Sequence, residues 1–567
     1  MSFQALVDHL LSDTLQVSLP FFRPELIVCA TIVVMLLVKV FNWGQRIDAF
    51  WIAIVGSLVA FVYALPVRPE AGMSFIEALG SVQRTEIFTG MLVYDGMTVF
   101  FRMFLLAFAF WFIILVRMTG LADREEGQDF YTLLLGATLG MCLMASANHL
   151  MTVFLAVEMA SVPSFVLAGI LKGRRRASEA ALKYAIYGAG AAGVMLYGIS
   201  LLAGLLGTAH LPTIAAKLAA LDIPTVATTG EGAAPLMVLA LAGLMIMVGL
   251  AFKLSAVPFH FWCPDVFEGA SAEVDAFLSV ASKAAAMALL VRIALGVSAS
   301  PAEQTVADHR PATVQTVALL QTADGETVQP AAKAAPLAPV RSFIVHLLAI
   351  IAAVTATFGN LAAYGQTNIK RLLAYSTIAH AGYMIMAVAA AVQLAGTDAV
   401  SSREAVAALV FYLAVYVFMN LGAFAIVAFL RGAMRSEEIA DYAGLIRSAP
   451  VVSVALVAIL VSLIGIPPLA GFMGKFAIFR ALVDAGGPLM IALLVIAGFN
   501  TVISLIYYLR VAKVVCIDPE PDTRAPVTVG MFASLYVLII SIPVLYYGIY
   551  PVRLWEIAQE ATKHLMT

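Results

Sequence analysis

The sequence predicts an all-α polytopic membrane protein, and three observations support this fold class. Hydrophobic residues make up 62% of the 567 residues and charged residues only 12%, with a mean hydropathy of +0.97. Soluble domains are about 45–50% apolar and about 25% charged. Apolar runs of about twenty residues, each long enough to cross a hydrocarbon core of about 30 Å as a helix, recur from end to end. The short alternating strand patterns of a membrane barrel are not seen in the sequence.

The apolar runs predict about fourteen transmembrane helices. Their centres lie near residues 34, 58, 106, 138, 160, 193, 248, 284, 352, 381, 418, 463, 500 and 538. The odd-numbered loops are basic, and the positive-inside rule makes them cytoplasmic, so that both termini are extracytoplasmic. The basic residues of these loops are Arg46; Arg117 and Arg124; Lys172, Arg174, Arg175 and Arg176; Lys370 and Arg371; Arg431, Arg435 and Arg447; and Arg510, Lys513 and Arg524.

Two predicted spans are too long and contain helix breakers. Helix 7 continues through Pro258, and helix 12 continues through the Gly465–Pro468 cluster, where proline and glycine interrupt backbone hydrogen bonding. The two breaks lie five spans apart, and a five-helix unit repeated in a membrane is necessarily inverted. The predicted parts are residues 1–125 (helices 1–3), 126–296 (first five-helix repeat, helices 4–8), 297–340 (a polar extracytoplasmic insertion), 341–516 (second repeat, helices 9–13) and 517–567 (helix 14).

Charge and cysteine content exclude several classes of function. The net charge of −2 argues against a nucleic-acid partner. The four cysteines are scattered without CxxC spacing, so neither a metal site nor a disulfide framework is expected. The N-terminus carries Asp8, Asp13 and Glu25 rather than a basic region, and no cleaved signal peptide is expected.

Five ionisable residues near the middle of predicted spans are the candidate functional residues. A charge at the bilayer centre costs about 2.5–3.5 kcal/mol, so such residues usually have partners, water or a transport role. They are Glu158, Lys253, Lys283, His380 and Lys475, with Lys183 nearer the cytoplasmic end of helix 6 as a possible sixth. The row predicts a polar chain that crosses from helix to helix.

Structural roles are open for most of these residues. Glu158 can be an ion-pair partner, and Lys183 can extend to the membrane interface. Lys253 and Lys475 can stabilise carbonyls freed at the helix breaks, and His380 can be a hydrogen-bonded core histidine. Three further polar residues, Asn360, Tyr383 and Asn420, are expected to form hydrogen bonds that pack helices together.

Six segments, in order along residues 90 to 515, carry a family resemblance. They are "YDGMTVFFRMF", "NHLMTVFLAVEMASVPSFVLAGIL", "EAALKYAIYGAGAAGVMLYGISLL", "VPFHFWCPDVFEGA" with "AFLSVASKAA", "NIKRLLAYSTIAHAGYMIMAV" and "SLIGIPPLAGFMGKF". Together they resemble subunit N, the antiporter-like membrane subunit of proton-pumping NADH:quinone oxidoreductase, respiratory complex I.

The resemblance implies a proton-translocating subunit of a bacterial inner membrane complex. No cofactor is expected in this chain, whereas NADH, FMN, iron–sulfur clusters and quinone are expected in other subunits. The implied partners are a neighbouring antiporter-like subunit, small membrane subunits and the lipid bilayer. By motif position, Glu158 and Lys253 resemble an ion pair, Lys283 the central lysine, His380 a member of the polar axis and Lys475 the terminal lysine.

One segment departs from the family pattern. Where the family commonly has "GAPTPVTAF", this sequence has "GASAEVDAF", which adds Glu273 and Asp275 near the start of helix 8. These acids can line a cytoplasmic proton path, but a solvated turn is the favoured interpretation.

Two alternative functions remain open. An Mrp-type sodium/proton antiporter subunit uses similar buried charges, although its usual "GPTPVSALIHA" pattern is missing here. A purely structural membrane-arm subunit uses the charges only to hold helices together. Co-purification with NADH dehydrogenase activity would distinguish a complex I subunit from the first alternative. Proton pumping by charge-removing variants would distinguish a proton-translocating subunit from the second.

Overall fold

The computed structural model describes residues 3–41, 47–67, 72–122, 127–171, 173–221, 223, 226, 233–299, 336–521, 524 and 527–566. Most of the predicted insertion, residues 300–335, lies outside the described residues, as do Arg46, Arg124 and Lys172 of the predicted basic loops. The described chain is almost entirely helical, which confirms the predicted fold class.

Every predicted centre falls within a helix. The helices are α1 (Arg23–Val40), α2 (Ala49–Ala64), α3 (Gly96–Thr119), α4 (Gly127–Ser146), α5 (Leu150–Ala168), α6 (Arg175–Leu206), α7a (Ala233–Leu254), α7b (Trp262–Gly269), α8 (Ala272–Ser298), α9 (Ala338–Ala363), α10 (Ile369–Leu394), α11 (Ala399–Met434), α12a (Pro450–Ile464), α12b (Ala470–Ala485), α13 (Gly487–Cys516) and α14 (Met531–Ile549).

The lengths of these helices refine the predicted count. Within the described ranges, 11 helices are long and apolar enough to cross a membrane, or 12 if the bent pair Leu10–Phe21 and Arg23–Val40 is one span. The remaining two, α2 and α12a, are apolar but only 16 and 15 residues long. At 1.5 Å per residue they are about 24 and 22 Å long, less than a hydrocarbon core of about 30 Å.

Short elements lie between the long helices. Strands β1 (Thr85–Ile87) and β2 (Leu92–Tyr94) form an antiparallel hairpin between α2 and α3. The shorter helices are Phe3–Ser12, Asp13–Ser18, Leu19–Phe21, Phe75–Gly80, Leu211–Ala220, Ile439–Tyr442, Leu445–Ser448 and Val552–Thr562.

Both predicted helix breaks are present. The seventh helix stops at Leu254, Ser255 takes a positive φ of 55°, and the chain turns through Phe261 before α7b begins. The twelfth helix stops at Ile464, and Gly465 at the C-cap has φ +92° before α12b begins at Ala470. A left-handed residue of this kind ends a helix and leaves carbonyls that need other partners.

A second feature recurs at corresponding positions of the two predicted repeats. His149 caps α5 and forms an isolated bridge with His210, which follows α6. Asn368 caps α10 and forms an isolated bridge with Glu438, which follows α11. An inverted repeat with these helices in register produces such a correspondence, at opposite ends of the bundle.

The centre of the bundle is formed by α8 and α10, in which nearly every residue is buried, and by α11, in which most residues are buried. Around them, α5, α7a, α9, α13 and α14 each leave one apolar face exposed, as helices facing lipid or a partner do. At one end, basic residues from several predicted cytoplasmic loops line a single open cavity of about 990 Å³; they include Arg174, Lys370, Arg431 and Arg435. The structure therefore brings these loops to one end of the bundle.

Candidate functional site

Four of the predicted ionisable residues are buried inside the bundle. The side chains of Lys253, Lys283, His380 and Lys475 are between 1% and 3% exposed. They lie on α7a, α8, α10 and α12b, so the buried groups follow one another from the first predicted repeat into the second. Burial on four different helices is the arrangement that the sequence predicted, while their roles stay predictions.

Lys253 lies beside the break of the seventh helix without a hydrogen bond to it. Its Nζ has no hydrogen-bond partner in the described structure. The carbonyl of the preceding residue, Phe252, instead accepts hydrogen bonds from Ser255 N and from Trp262 Nε1, both at 3.0 Å. Trp262 therefore supplies the stabilising contact that we considered for Lys253, whose ammonium group remains available for other interactions.

Glu158 is the acidic group that acts electrostatically on Lys253, although the two form no direct ion pair. It is half-buried on α5 and borders an open, largely apolar cavity of about 830 Å³, which is also lined by Phe22, Met91 and Leu155. A carboxylate near a buried amine but separated from it leaves the charge of each group only partly compensated. The ion pair that the resemblance implies for these two residues stays a prediction.

Lys283 forms the central contact between α8 and α10. Its Nζ donates a hydrogen bond to Thr377 Oγ1 at 2.7 Å, and both side chains are buried. Thr377 lies one turn before His380 on α10, so the lysine and the histidine are connected through one helix face.

His380 is surrounded by hydroxyl groups. Its Nδ1 lies 2.5 Å from the hydroxyl of Tyr412 on α11, and its Nε2 lies 3.3 Å from the hydroxyl of Tyr508 on α13. Tyr508 also forms a hydrogen bond with Ser376, and the charges of Lys475 and Lys283 both act on the imidazole. His380 thus lies between the two lysines and has a hydrogen-bonding group at each ring nitrogen, which a proton relay and a core histidine both require.

Lys475 differs from Lys253 in its contact with the helix break. Its Nζ donates to the carbonyl of Ile464, the last residue of α12a, at 2.9 Å. The same ammonium group lies 4.7 Å from the ring centroid of Tyr383, a cation–π distance. The interaction with a freed carbonyl that we considered for both lysines is therefore found only at this break.

Lys183 lies apart from the buried row. Its side chain is 35% exposed and pairs with Asp265 at 2.8 Å and with Glu179 at 3.0 Å. Asp265 also pairs with Arg371 at the same end of the bundle. Lys183 therefore belongs to a partly exposed cluster of ion pairs near the end of the bundle.

The hydrogen-bonding partners of the buried row were missed in the sequence. Thr377 is within one of the quoted segments, but Tyr412 and Tyr508 come from helices far along the chain, and single polar residues in apolar runs give no pairing signal. Asn360 does connect helices as predicted, because its amide donates to Asn500 at 3.1 Å and to Tyr383 at 3.3 Å.

Two buried ion pairs were also missed. Arg292 of α8 forms a bidentate pair with Asp95, with both N–O distances 2.5 Å. Arg102 of α3 pairs with Glu25 at 2.5 Å, and both side chains are 1% exposed. The available signal was an arginine inside each apolar run, since a charge there requires a buried partner.

Glu273 and Asp275 correct the solvated-turn interpretation. Ser271 caps α8 by accepting a hydrogen bond from Val274 N, so both acids lie in the first helical turn. They are only 5% and 0% exposed. A turn in water is wrong for this segment.

The described ranges contain no group of three or more His, Cys, Asp or Glu residues arranged to hold a metal ion. All four cysteines are in the free form there.

Comparison with known proteins identifies the family. The family model described as "NADH:quinone oxidoreductase/Mrp antiporter, TM" matches residues 147–308 and 312–504. NADH-quinone oxidoreductase subunit N of Anaeromyxobacter sp. (strain Fw109-5) is 37% identical over 97% of this chain and 96% of its own. NADH-quinone oxidoreductase subunit N 2 of Symbiobacterium thermophilum is 35% identical over 95% of this chain and 96% of its own.

Solved structures agree with this assignment. A chain of respiratory complex I from Thermus thermophilus with bound Aureothin is 28% identical, with a TM-score of 0.67, and the match covers 94% of this chain and 98% of the other. A chain of the Mrp complex from Dietzia sp. DQ12-45-1b has a TM-score of 0.72 at 18% identity, covering 97% and 98%, and shows a shared fold. This chain therefore belongs to the NADH:quinone oxidoreductase/Mrp antiporter family, as a member of the subunit N group.

Proposed function

We propose that this chain moves protons across the membrane as a subunit of NADH:quinone oxidoreductase and that its buried ionisable residues carry them. The observation that carries the proposal is the row of buried groups on α7a, α8, α10 and α12b, joined at its centre by Thr377 and the tyrosine hydroxyls around His380. Charges buried in a membrane protein are costly and are retained mainly where ions or protons move.

Each residue has a distinct role in this proposal. Glu158 and Lys253 form an electrostatic switch, Lys283 holds a proton at the centre, His380 passes it between the repeats, and Lys475 holds it at the second break. Lys183 has a possible additional role: it pairs with Asp265 near the end of the bundle and can modulate the charge there.

The physical mechanism is a change of charge compensation. A buried ammonium group is stabilised while a carboxylate lies near it, and it releases its proton when that compensation is withdrawn, because an isolated charge is costly in a low-dielectric interior. Moving one charge against the membrane potential costs about 2.3 kcal/mol per 100 mV. A modest electrostatic change at each site therefore suffices, and the groups titrate as a coupled set.

The proposed orientation of the chain in the membrane follows from the basic cavity. The cavity lined by Arg174, Lys370, Arg431 and Arg435 is its cytoplasmic end, and both termini are extracytoplasmic in a bacterial inner membrane. The redox cofactors of the complex, which are NADH, FMN, iron–sulfur clusters and quinone, act in other subunits. Their reaction drives proton movement through this one.

The test replaces single charges in the assembled complex. We expect Lys253→Met and Glu158→Gln to leave assembly intact but to lower NADH-driven proton pumping, measured with a pH-sensitive dye in sealed vesicles. The matched control is Lys513→Met, which removes a lysine whose side chain is 62% exposed. Normal pumping by the Lys253 and Glu158 variants contradicts the proposal, whereas loss of assembly in both favours the structural alternative.

A further inference from the structure

Two acids are buried at the start of α8. Glu273 and Asp275 are 5% and 0% exposed. Both carboxylate oxygens of Asp275 and Oε2 of Glu273 have no hydrogen-bond partner in the described structure. Buried carboxylates normally accept several hydrogen bonds, so these groups call for an explanation.

The positive charges nearby do not satisfy these oxygens. Lys370 of α10 is the nearest, with its Nζ 3.9 Å from Asp275 Oδ2. It donates a hydrogen bond to the carbonyl of Ala270 at 2.7 Å instead, and it forms an ion pair with Glu437 Oε1 at 3.0 Å. Glu437 is shared in turn with Arg431 at 3.2 Å. Asp275 therefore experiences a mixed field of two cations and two further acids, without a direct hydrogen bond from any of them.

The acids lie beside the cavity at the proposed cytoplasmic end. Glu273, Lys370 and Glu437 line this open cavity of about 990 Å³, and Asp275, two residues further along α8, is fully buried and does not line it. Water that fills the cavity reaches Glu273 first. The buried oxygens of Asp275 are then the next proton-accepting atoms along α8.

Polar residues spaced four apart on α8 form a line from the start of the helix to its buried centre. Residues four apart share a face of a helix, so Asp275, Ser279 and Lys283 form one stripe on α8. Ser279 and Lys283 are buried, and eight residues correspond to a rise of about 12 Å. The stripe thus begins at Asp275, two residues after the cavity-lining Glu273, and ends at the central lysine, which hydrogen-bonds to Thr377.

We propose that Glu273 and Asp275 form the proton-uptake site of this chain, which binds a proton from cavity water and supplies it to Lys283; this inference rests on the proposed function. In the uptake step a hydronium ion transfers its proton to a carboxylate oxygen, which leaves water and a neutral carboxylic acid. The acid later gives this proton to the neutral amine of Lys283, which becomes an ammonium group, and the acid becomes a carboxylate again. Binding a proton removes an ionised group that lacks hydrogen bonds, so the step is favourable at this position.

The test measures proton uptake in the whole complex reconstituted in sealed vesicles. A positioned proton-transfer group contributes about 10²- to 10⁴-fold to a rate, and water in the cavity limits the loss, so we expect about a tenfold fall in uptake for Asp275→Asn and for the double variant with Glu273→Gln. The fall grows as the cytoplasmic-side pH rises, because protons then become scarce. Asp275→Glu, which keeps the carboxyl group, restores uptake.

The matched control is Glu438→Gln, which removes an exposed acid at the rim of the same cavity. We expect its uptake and pH profile to equal those of the unmodified complex. Unchanged uptake and pH profile in the double variant overturn the uptake site. A uniform fall that has no pH dependence and is not rescued by Asp275→Glu also overturns it, because such a fall reports a structural role.

Lys253→Met in the same preparation separates this inference from the proposed function. If Lys253→Met pumps normally, the proposed function fails. If Lys253→Met loses pumping while the double variant retains normal uptake, only the uptake site fails.

Discussion

At the scale of single residues, the two broken helices look alike in sequence but treat their lysines differently. Each lysine lies near a proline-containing break, which is all that the sequence shows. In the fold, Ser255 N and Trp262 Nε1 donate to the carbonyl of Phe252, whereas Lys475 itself donates to the carbonyl of Ile464. The difference depends on a side chain beyond the break, and linear spacing does not reveal where that side chain turns.

The contact of Lys475 allows its two possible roles to be separated. In Lys475→Gln the amide can still donate to the Ile464 carbonyl but carries no charge or titratable proton, and in Lys475→Met both functions are lost. If the lysine carries protons, both variants lose NADH-driven pumping in the assembled complex while Lys475→Gln keeps the thermal stability of the subunit. The measurements are pumping in vesicles and the temperature at which the complex dissociates.

The control for this pair is Arg480→Gln, since Arg480 lies on the same helix with a side chain 58% exposed. It should retain both pumping and stability. Full pumping by Lys475→Gln with loss in Lys475→Met would show that the carbonyl contact is the only function of Lys475.

At the scale of elements, the sequence predicted the positions of the helix breaks well and the lengths of the helices poorly. Proline and the Gly465–Pro468 cluster located both breaks, because their effect on the backbone is local. The short lengths of α2 and α12a were not predicted, since hydropathy extends across a break and does not report where helical hydrogen bonding stops. The partners of Lys283 and His380 were likewise not predicted, because they depend on the packing of separate helices.

Gly465 follows the last residue of α12a, at the break of the twelfth helix, and has a left-handed backbone conformation. Its φ is +92°, and a Cβ there would lie 2.9 Å from Cδ of Lys475. We expect Gly465→Ala to destabilise the subunit by about 1–2 kcal/mol, the usual cost of a side chain in this region, and to displace Lys475. The measurement is the dissociation temperature of the complex together with its pumping rate.

A glycine in a regular helix provides the comparison. Gly498 of α13 has no neighbouring atom within 4 Å of a built Cβ, so Gly498→Ala should be neutral or slightly stabilising. Equal effects of the two substitutions would contradict a special role for the conformation of Gly465.

The ion pair between Asp95 and Arg292 links the start of α3 to α8. The side chains are 1% and 5% exposed, and removing one member of a buried pair leaves an uncompensated charge. We expect Asp95→Asn to lower the free energy of unfolding by about 3–5 kcal/mol, seen as a lower dissociation temperature. Asp48→Asn is the matched control: Asp48 also caps a helix and pairs with an arginine, but the side chains of that pair are 27% and 44% exposed, and such a pair contributes about 0–1 kcal/mol.

The same pair predicts a pH dependence. Burial opposes ionisation of Asp95, but the Arg292 guanidinium and the hydrogen bond from Thr98 N hold its pKa below the usual value. A carboxyl group with a lowered folded-state pKa stabilises the fold above its unfolded pKa of about 3.9, and this contribution is lost as the pH falls through the folded value. The difference in dissociation temperature between the unmodified chain and Asp95→Asn should therefore be constant near neutral pH and shrink below about pH 3.9. A difference that grows in acid would contradict this account.

At the scale of the whole molecule, composition and loop charge predicted more than any single motif. The hydrophobic content determined the fold class, and the centres of the apolar runs all fell within helices. The basic loops meet at one end, as a consistent orientation requires, because each crossing reverses the direction of the chain. The departure at Glu273 and Asp275 was visible in sequence, but its burial was not, since a run of small polar residues before a helix looks like a solvated turn.

Cys516 tests the orientation of the whole molecule with a residue that the chain already has. It is exposed at the end of α13, on the same side as the proposed cytoplasmic cavity, whereas Cys142 and Cys263 are buried. A membrane-impermeant maleimide should label Cys516 in inverted vesicles, where the cytoplasmic face is outside, and leave it unlabelled in right-side-out vesicles. In a Cys516→Ser background, Arg553→Cys on the exposed C-terminal helix should give the reverse result, with labelling read from this subunit by mass spectrometry. Because the single crossing by α14 places residues 516 and 553 on opposite faces, labelling of both from the cytoplasmic face would exclude the proposed crossing by α14 and the extracytoplasmic C-terminus together.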